Sequence, residues 1–238
     1  MAHLAHYKEA HPLPFVITHW VNLIAMILLI LSGIEIHYPV LPGLMGVARG
    51  AHIFCGIVIL LNLIIRIVLS FFVKSSPTGG TREQTLDIYC WLPQKHSRHQ
   101  LIPWIKYYLF FKKDHPLGGK YGVPQKIAYL IFVVIGLLAM GFTGFCLWQT
   151  TANMTIFLAF TNLVGGLMKV RIIHYCGMFW FICFILIHVY LANIEGIEPT
   201  KIMFFHKEHG GLTYNIHTMQ IDGEDLMDEA GEDYKPLQ

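Results

Sequence analysis

Two histidines in one strongly apolar stretch are the residues whose type and spacing point most directly to chemistry. The segment Arg171–Tyr190, RIIHYCGMFWFICFILIHVY, carries His174 and His188, fourteen residues apart. At about 100° and 1.5 Å per residue, fourteen helical residues return to nearly the same face, roughly 21 Å further along. A bilayer core is about 30 Å thick, so this spacing predicts one imidazole near each side of a membrane. Two ligands at two depths on one face suit two stacked redox centres.

The composition agrees with a membrane location. The 238 residues are 55% hydrophobic and only 13% charged, and the mean hydropathy is +0.52. A soluble domain needs more charged side chains to cover its surface. The net charge of +2 gives no indication of nucleic-acid binding. The five cysteines have no Cys-x-x-Cys spacing, and neither an iron–sulfur nor a zinc motif is present.

Four apolar segments are long enough to form membrane-spanning helices. Prolines suit the first turn of the first segment and also end it, while a Ser-Ser-Pro-Thr-Gly-Gly loop signal follows the second. The predicted helices cover residues 14–38, 47–73, 126–148 and 171–193. Together they predict an all-α integral membrane protein with a four-helix transmembrane bundle at residues 14–195.

Polar segments flank and connect these helices. We expect residues 1–13 to be a solvated N-terminal segment, and residues 196–238, acidic near their end, to be a disordered or docking tail. Residues 149–170 are predicted to be a short connection. In the long loop at 74–125, residues 99–113 mix aromatic side chains with lysines, which is typical of a helix in the headgroup region. A soluble packing segment is the alternative there.

The distribution of lysine and arginine predicts the orientation of the bundle. The long loop and the residue after it contain nine such side chains: Lys74, Arg82, Lys95, Arg98, Lys106, Lys112, Lys113, Lys120 and Lys126. The opposite side has only Arg49, Lys169 and Arg171. Because positive charge collects on the cytoplasmic side, both termini and the long loop should be cytoplasmic.

With this orientation, the membrane histidines fall into two layers. His52 and His174 should lie together near the outer surface, and His19 and His188 near the inner surface. Neutral imidazole is a good axial ligand for iron, and two histidines on one haem leave no open coordination site. The layers therefore predict two haems that carry electrons across the membrane. The alternative is that each histidine only hydrogen-bonds a neighbouring helix.

Several residues are placed to contact these haems. Gly33 lies fourteen residues after His19 in helix one and would leave room for the macrocycle of the outer haem. Arg66 lies fourteen residues after His52 in helix two and suits a propionate of the inner haem. Arg49 and Arg171 each precede the outer histidine of their helix by three residues, so they suit the outer propionates. Gly56 is a further candidate cofactor contact. The alternative for the arginines is a role as interfacial anchors.

The sequence resembles the di-haem cytochrome b (gamma) subunits of respiratory formate dehydrogenases and nickel–iron hydrogenases, within a prokaryotic cytochrome b561-like superfamily. The resemblance covers about residues 10–205. The matching pieces are His19-Trp20, Arg49-x-x-His52, Arg171-x-x-His174 with His188, and the segment PLGGKYGVPQK at 116–126. These motifs do not separate the formate dehydrogenase, hydrogenase and thiosulfate-reductase branches.

The resemblance implies a quinone site in the loop before helix three, beside the inner haem. The residues carried over are Gly119, Lys120, Tyr121, Gln125 and Lys126. This chain has Gly122 where formate dehydrogenase relatives often have asparagine, so that quinone contact is not carried over. His115 is a candidate proton carrier, with an ordinary surface loop histidine as the alternative.

The function that the resemblance implies is electron transfer in a respiratory complex. We expect a formate dehydrogenase-like subunit of a prokaryotic cytoplasmic (inner) membrane, passing electrons through two haem b groups between a partner iron–sulfur subunit and menaquinone or ubiquinone. A catalytic dehydrogenase or hydrogenase subunit would complete the assembly, because this chain has no substrate dehydrogenase site of its own. The alternative within this class is a nickel–iron hydrogenase or thiosulfate-reductase complex.

Two other classes of protein compete with this interpretation. A histidine-relay proton channel or transporter should have acidic residues at mid-membrane. Glu35 is the only acidic residue in the apolar spans, and it lies near an end. A purely structural membrane anchor would not need four histidines in two layers.

Overall fold

The computed structural model describes residues 5–92, 98–112, 119–193, 197–215 and 220–225, and these residues are mostly helical. In chain order the helices are α1 (Leu13–His37), α2 (Met45–Ser70), α3 (Asp87–Trp91), α4 (Leu101–Tyr108), α5 (Val123–Leu147), α6 (Thr155–Val164), α7 (Leu167–Asn193) and α8 (Glu198–Phe205). The strands are β1 (Lys74–Ser75), β2 (Thr85–Leu86), β3 (Gly211–Asn215) and β4 (Gln220–Asp225). Helices α1, α2, α5 and α7 have 25 to 27 residues each and are apolar enough to cross a membrane. The prediction of four long apolar helices is confirmed.

A buried carboxylate organises the end of α1. The helix ends at His37, and Pro39 follows, whose ring and missing N–H prevent a continued helix. The carboxylate of Glu35 accepts hydrogen bonds from the N–H groups of Val40 and Leu41, both at 3.2 Å. The single acidic residue of the spans therefore stabilises the turn after α1.

Helix α5 begins at Val123, three residues before the predicted start. Pro124 suits its first turn, and the side-chain carbonyl of Gln125 accepts a hydrogen bond of 2.9 Å from the N–H of Gly122. Residues Tyr129–Ile135 form a π-helical stretch within it. Such stretches are rare and occur often at functional sites.

The connection at residues 149–170 contains helix α6, which sequence patterning did not predict. Its ten residues are too few to span a membrane. Phe157 packs against Phe142 and Phe145, with ring centres 5.3 and 5.6 Å apart. The helix ends at Gly165, whose φ of +93° is favourable only for glycine. Aromatic packing therefore orders a segment that had been expected to be a simple connection.

The helix expected at residues 99–113 is shorter in the structure. Helix α4 covers Leu101–Tyr108 after a 3-10 turn at Arg98–Gln100. Trp104 is buried, and an added Cβ at Gly122 would lie 3.2 Å from its indole ring. This helix therefore has one packed side and an exposed apolar side.

The chain forms two compact units. The bundle unit comprises Ile17–Arg66 and Leu130–Ile187. Its buried core is formed by Ala25, Cys55, Ile59, Leu63, Leu137 and Phe181. Glycines let the helices approach closely: an added Cβ at Gly141 would lie 2.7 Å from Leu60, and one at Gly177 would overlap Met140.

The loop-and-tail unit contains the described residues of Met1–Val16, Ile67–Tyr129 and His188–Gln238. It has two antiparallel strand pairs, β1 with β2 and β3 with β4. Tyr7 is buried, its hydroxyl donates a hydrogen bond of 2.6 Å to Asp225, and Arg82 covers its ring. Ala5, Tyr7 and Ala10 are buried, so the expectation of a solvated N-terminal segment is wrong for these three residues, whereas Lys8 is exposed. The tail includes ordered strands at 211–215 and 220–225, while residues 226–238 lie outside the described part of the chain.

Candidate functional site

The structure brings together the two histidines predicted to form the outer layer. His52 lies on α2 and His174 on α7, and their ring centres are 6.1 Å apart with an angle of 64° between the ring planes. Both residues are half-buried in the bundle unit. Two neutral imidazoles at this separation inside an apolar bundle form a candidate ligand pair.

Each imidazole is held by a hydroxyl group from another helix. Nδ1 of His52 lies 3.0 Å from Oγ of Ser32 on α1. Nδ1 of His174 lies 2.9 Å from Oγ1 of Thr143 on α5. Sequence reasoning missed both hydroxyl residues. The signal that could have found them is a repeated dipeptide, a hydroxyl residue followed by glycine, in two different apolar helices.

The glycine of each dipeptide lies against the same imidazole. An added Cβ at Gly33 would be 3.3 Å from Cε1 of His52, and one at Gly144 would be 3.6 Å from Cε1 of His174. Gly33 was expected to leave room for a macrocycle. In the structure the adjacent ring is the imidazole of His52, so the small residue makes space for this side chain.

The spacing of the histidine pair fits a single bound metal ion. Metal–imidazole bonds are about 2.0 Å long and each nitrogen lies about 1 Å from its ring centre, so two imidazoles on opposite sides of one metal would have centres about 6 Å apart. No group of three or more His, Cys, Asp or Glu side chains that could hold a metal occurs among the described residues. A haem iron suits a two-histidine site, because the macrocycle supplies its other four ligands.

Three further candidate cofactor contacts, Arg49, Arg171 and Gly56, lie near this pair along the chain. Arg49 and Arg171 are exposed, one turn before the outer histidine of their helix. An added Cβ at Gly56 would meet no atom within 4 Å, so the helix surface there permits close approach. His37, near the end of α1, stacks on Tyr175 at 4.1 Å between ring centres.

The residues predicted to bind the inner haem are divided between the two units of the chain. His19 and Arg66 are half-buried in the bundle unit. His188 is half-buried in the loop-and-tail unit, where the ring of Tyr129 lies 6.1 Å from it. The pairing of His19 with His188 stays a prediction.

The predicted quinone residues include one buried ion pair. The ammonium group of Lys120 lies 2.9 Å from Oδ1 of Asp87, and this carboxylate also accepts hydrogen bonds from Ser75 at 2.7 Å and from the indole N–H of Trp91 at 3.0 Å. Sequence reasoning missed Asp87, which is 33 residues away from Lys120 in the chain. Three donors converge on one acidic group beside the predicted site.

Aromatic rings connect this ion pair to the inner histidine of α7. Tyr121 follows Lys120 in the chain and packs on Trp91 at 4.5 Å and on Tyr129 at 5.7 Å between ring centres. Tyr129 in turn contacts His188. The structure therefore brings Lys120 and Tyr121 together with one predicted inner ligand.

The remaining predicted quinone residues have structural contacts. Gln125 caps α5, and the ammonium group of Lys126 donates a hydrogen bond of 3.0 Å to the carbonyl of Leu92. Gly119 is half-buried just before Lys120. His115 lies outside the described residues.

Comparison with known proteins identifies the fold family. The model of the family described as prokaryotic cytochrome b561 matches residues 10–205. Probable Ni/Fe-hydrogenase B-type cytochrome subunits are similar over most of their length. Those of Azotobacter chroococcum and Azotobacter vinelandii are 28% and 27% identical, over 77% of this chain and 79% of each relative. That of Rhodobacter capsulatus is 24% identical over 84% of this chain and 79% of the relative. The chain belongs to the prokaryotic cytochrome b561 family.

Proposed function

We propose that this protein is the membrane cytochrome b subunit of a nickel–iron hydrogenase complex and that it transfers electrons between hydrogenase partner subunits and quinone. The observation that carries the proposal is the His52–His174 pair, whose separation suits two axial ligands of one haem. The relatives described above are named as Ni/Fe-hydrogenase subunits. The hydrogenase alternative therefore replaces the formate dehydrogenase assignment as the preferred one.

The outer haem of this proposal is a b-type haem held by His52 and His174. When bound, it would supply one-electron transfer between ferric and ferrous iron without an open site for oxygen. The two histidines would hold this iron, and the apolar bundle would limit its contact with water. Arg49 and Arg171, one turn nearer the outer surface, would pair with its propionates.

The inner haem is proposed on the spacing of α7. His188 lies fourteen residues after His174, close to four turns of the helix and on nearly the same face. His19 is its proposed partner, and Arg66 its proposed propionate contact. The single helix α7 would then supply one ligand to each haem.

A quinone site near the inner haem is proposed at Lys120 and Tyr121. Their side chains offer an ammonium and a phenol group beside the aromatic rings of Trp91 and Tyr129. Asp87 supplies a buried carboxylate in contact with the ammonium group. Flat aromatic walls with a few polar groups are typical of sites for ring-shaped ligands. Gly119, Gln125 and Lys126 would position this loop at the start of α5.

The proposed setting is the cytoplasmic membrane of a prokaryote. Both termini and the long basic loop would face the cytoplasm. Electrons would enter from an iron–sulfur subunit that is bound to the catalytic hydrogenase subunit, and quinone would exchange them at the other end. The present chain performs no hydrogen chemistry in this proposal.

The proton-relay alternative has a weaker basis in the structure. Glu35, the acidic residue of the apolar spans, lies near the end of α1 and accepts hydrogen bonds from two backbone N–H groups after that helix. A carboxylate that accepts these hydrogen bonds stabilises the turn after α1, which is a structural role. The paired histidines are better explained as ligands.

Reduction of the haems by different donors tests the proposal. The chain should be purified with its co-expressed partner subunits, and visible spectra recorded after adding hydrogen or formate under anaerobic conditions. We expect hydrogen to reduce the b haems and formate to leave them oxidised. Reduction by formate alone, or a preparation without haem, would contradict the proposal.

A further inference from the structure

We propose that the dipeptides Ser32–Gly33 and Thr143–Gly144 are two equivalent cradles that fix the tautomer and position of the outer haem ligands, and so tune the potential of that haem. This inference rests on the proposed function, because it assumes that His52 and His174 bind haem iron. Each cradle combines a hydroxyl group on Nδ1 with a glycine backbone against Cε1.

The direction of the hydrogen bond at Ser32 follows from its other contacts. The hydroxyl of Ser32 has one hydrogen, and its oxygen lies 2.5 Å from the carbonyl of Leu28 and 3.2 Å from that of Leu29. This is the usual bond of a helical serine to the preceding turn, and it uses the only hydrogen of the hydroxyl. The oxygen must therefore accept from His52, whose Nδ1 carries the proton.

The same argument holds independently on a second helix. The hydroxyl of Thr143 donates to the carbonyl of Ala139 at 2.9 Å or of Met140 at 3.1 Å. Its oxygen then accepts from Nδ1–H of His174 at 2.9 Å. Two helices with different sequences thus reach the same arrangement with the same two residue types.

This tautomer is the one that a metal requires. A neutral imidazole with its proton on Nδ1 has its lone pair on Nε2, which is the nitrogen left to bind iron. Ser32 is 8% exposed and Thr143 is 4% exposed, so bulk water is a poor substitute for either hydroxyl. Without the Thr143 hydroxyl, Nδ1–H of His174 would lose its acceptor and the opposite tautomer would become competitive. His52 also makes a hydrogen bond with the backbone of Leu29, so the loss of the Ser32 hydroxyl would remove one of two partners there.

The glycines set where each ring can lie. A Cβ at 3.3 Å from Cε1 of His52 is closer than ordinary van der Waals contact, so a side chain at Gly33 would displace the ring. At Gly144 the corresponding distance to Cε1 of His174 is 3.6 Å, an ordinary van der Waals contact, so a methyl group there would touch the ring without displacing it. The hydroxyl and the glycine therefore constrain the same edge of the imidazole.

The electronic consequence has a definite sign. An acceptor on Nδ1–H raises the basicity of a histidine ligand, and removing such a partner typically lowers metal affinity about 10–100-fold. A more basic ligand favours ferric over ferrous iron. Loss of either hydroxyl should therefore raise the reduction potential of the outer haem. A tenfold change in the ratio of the ligand's affinities for ferric and ferrous iron shifts the reduction potential by about 59 mV for a one-electron couple.

Hydroxyl variants of the full complex test the inference. The informative changes are Ser32→Ala and Thr143→Val, with Ser32→Thr and Thr143→Ser as conservative variants. Ser70→Ala is the matched control, because Ser70 is a buried serine on α2, the helix of His52, and donates to the carbonyl of Ile67 in the preceding turn. Redox titration of the haems and the haem-to-protein ratio are the two readouts.

We expect Ser32→Ala and Thr143→Val to raise the potential of one haem or to reduce its retention at least tenfold. The conservative variants and the control should behave like the wild type. Unchanged potential and haem content in Ser32→Ala and Thr143→Val would overturn the inference. So would equal losses in Thr143→Val and Thr143→Ser, because the role would then be packing. A wild-type complex without haem would instead refute the proposed function.

Discussion

The ammonium group of Lys120 lies 2.9 Å from Oδ1 of Asp87, and the two side chains are only 2% and 0% exposed. A buried ion pair is stable only when the remaining polar atoms are also satisfied. Here the carboxylate receives additional hydrogen bonds from Ser75 and Trp91. The loop before α5 is therefore held to α3 by a complete polar cluster, next to the proposed quinone site.

Breaking this ion pair should destabilise the protein strongly. In Asp87→Ala the buried ammonium group of Lys120 loses its counter-charge, and such changes cost about 3–5 kcal/mol. The double variant Asp87→Leu with Lys120→Met should recover a large part of the loss. Thermal unfolding of the purified protein in detergent measures both effects. Lys106→Met, at an exposed position of α4, is the control and should change stability by no more than about 0.5 kcal/mol.

Helix packing predicts opposite effects of alanine at two glycines. An added Cβ at Gly141 would lie 2.7 Å from Cδ1 of Leu60, whereas one at Gly46 would meet no atom within 4 Å. Gly141→Ala should therefore destabilise the bundle by about 1–3 kcal/mol. Gly46→Ala should be neutral or slightly stabilising, because alanine is the better helix former.

The close contact between Gly141 and Leu60 can be tested a second time by changing Leu60. Adding Leu60→Ala to Gly141→Ala removes the clashing methyl groups, so the two changes together should destabilise less than the sum of the single changes. Strict additivity, or equal effects of alanine at Gly141 and Gly46, would show that this glycine does not mediate a close helix contact.

The ion pair of Arg82 with Glu208 predicts a pH-dependent stability of the loop-and-tail unit. Partial burial of the Glu208 carboxylate opposes ionisation, but the hydrogen bond from Arg82 and the backbone N–H of Lys8 outweigh it and lower the pKa of Glu208. A carboxyl whose pKa is depressed by folding stabilises the native state above its unfolded pKa, and this stabilisation disappears as the pH falls through the lower, folded pKa.

The pH dependence should therefore weaken when Glu208 is replaced. Arg82 is 40% exposed, so the expected contribution is about 0–1 kcal/mol. Unfolding of the wild type and of Glu208→Gln should be followed between neutral pH and about pH 3. The difference between them should be largest at neutral pH and shrink on acidification. A difference that grows on acidification would show that the sign is wrong.

Removing the hydroxyl group of Tyr121 should slow electron transfer to quinone without changing the reduction of the haems. Tyr121→Phe keeps the ring that packs on Trp91 and Tyr129 but loses a polar contact for quinone. We expect unchanged haem content and donor-driven haem reduction, with haem reoxidation by added quinone slowed at least tenfold. Stopped-flow absorbance of the haem band measures the reoxidation. Tyr89→Phe, at an exposed tyrosine, should leave it unchanged. Equal rates in the wild type and Tyr121→Phe would remove this residue from the proposed site.

The helices and the outer pair illustrate what sequence patterning can predict. The four apolar segments exceed the length needed to cross a bilayer, so their existence depends only on local composition. His52 and His174 were paired from their depths alone, because a helix converts residue number into distance along the membrane normal. In the structure the centres of their rings are 6.1 Å apart.

Features that depend on which elements face each other were not predictable in this way. Ser32 and Thr143 matter only because α1 and α5 present them to particular histidines. Asp87 meets Lys120 across 33 residues of loop, and no local pattern links the two. The hydrogen bond of Tyr7 to Asp225 joins the N-terminal segment, expected to be solvated, to the tail, expected to be a docking or disordered segment. Long-range contacts of this kind override local propensity.

The haem content of ligand variants tests the central claim most directly. His174→Ala and His37→Ala should be purified in parallel, since His37 is a histidine of the same bundle that is not a proposed ligand. We expect His174→Ala to retain one of the two haems, with the b-type α-band reduced accordingly, and His37→Ala to retain both. A His174→Ala protein with the full wild-type haem content, or loss of haem in His37→Ala instead, would contradict the account.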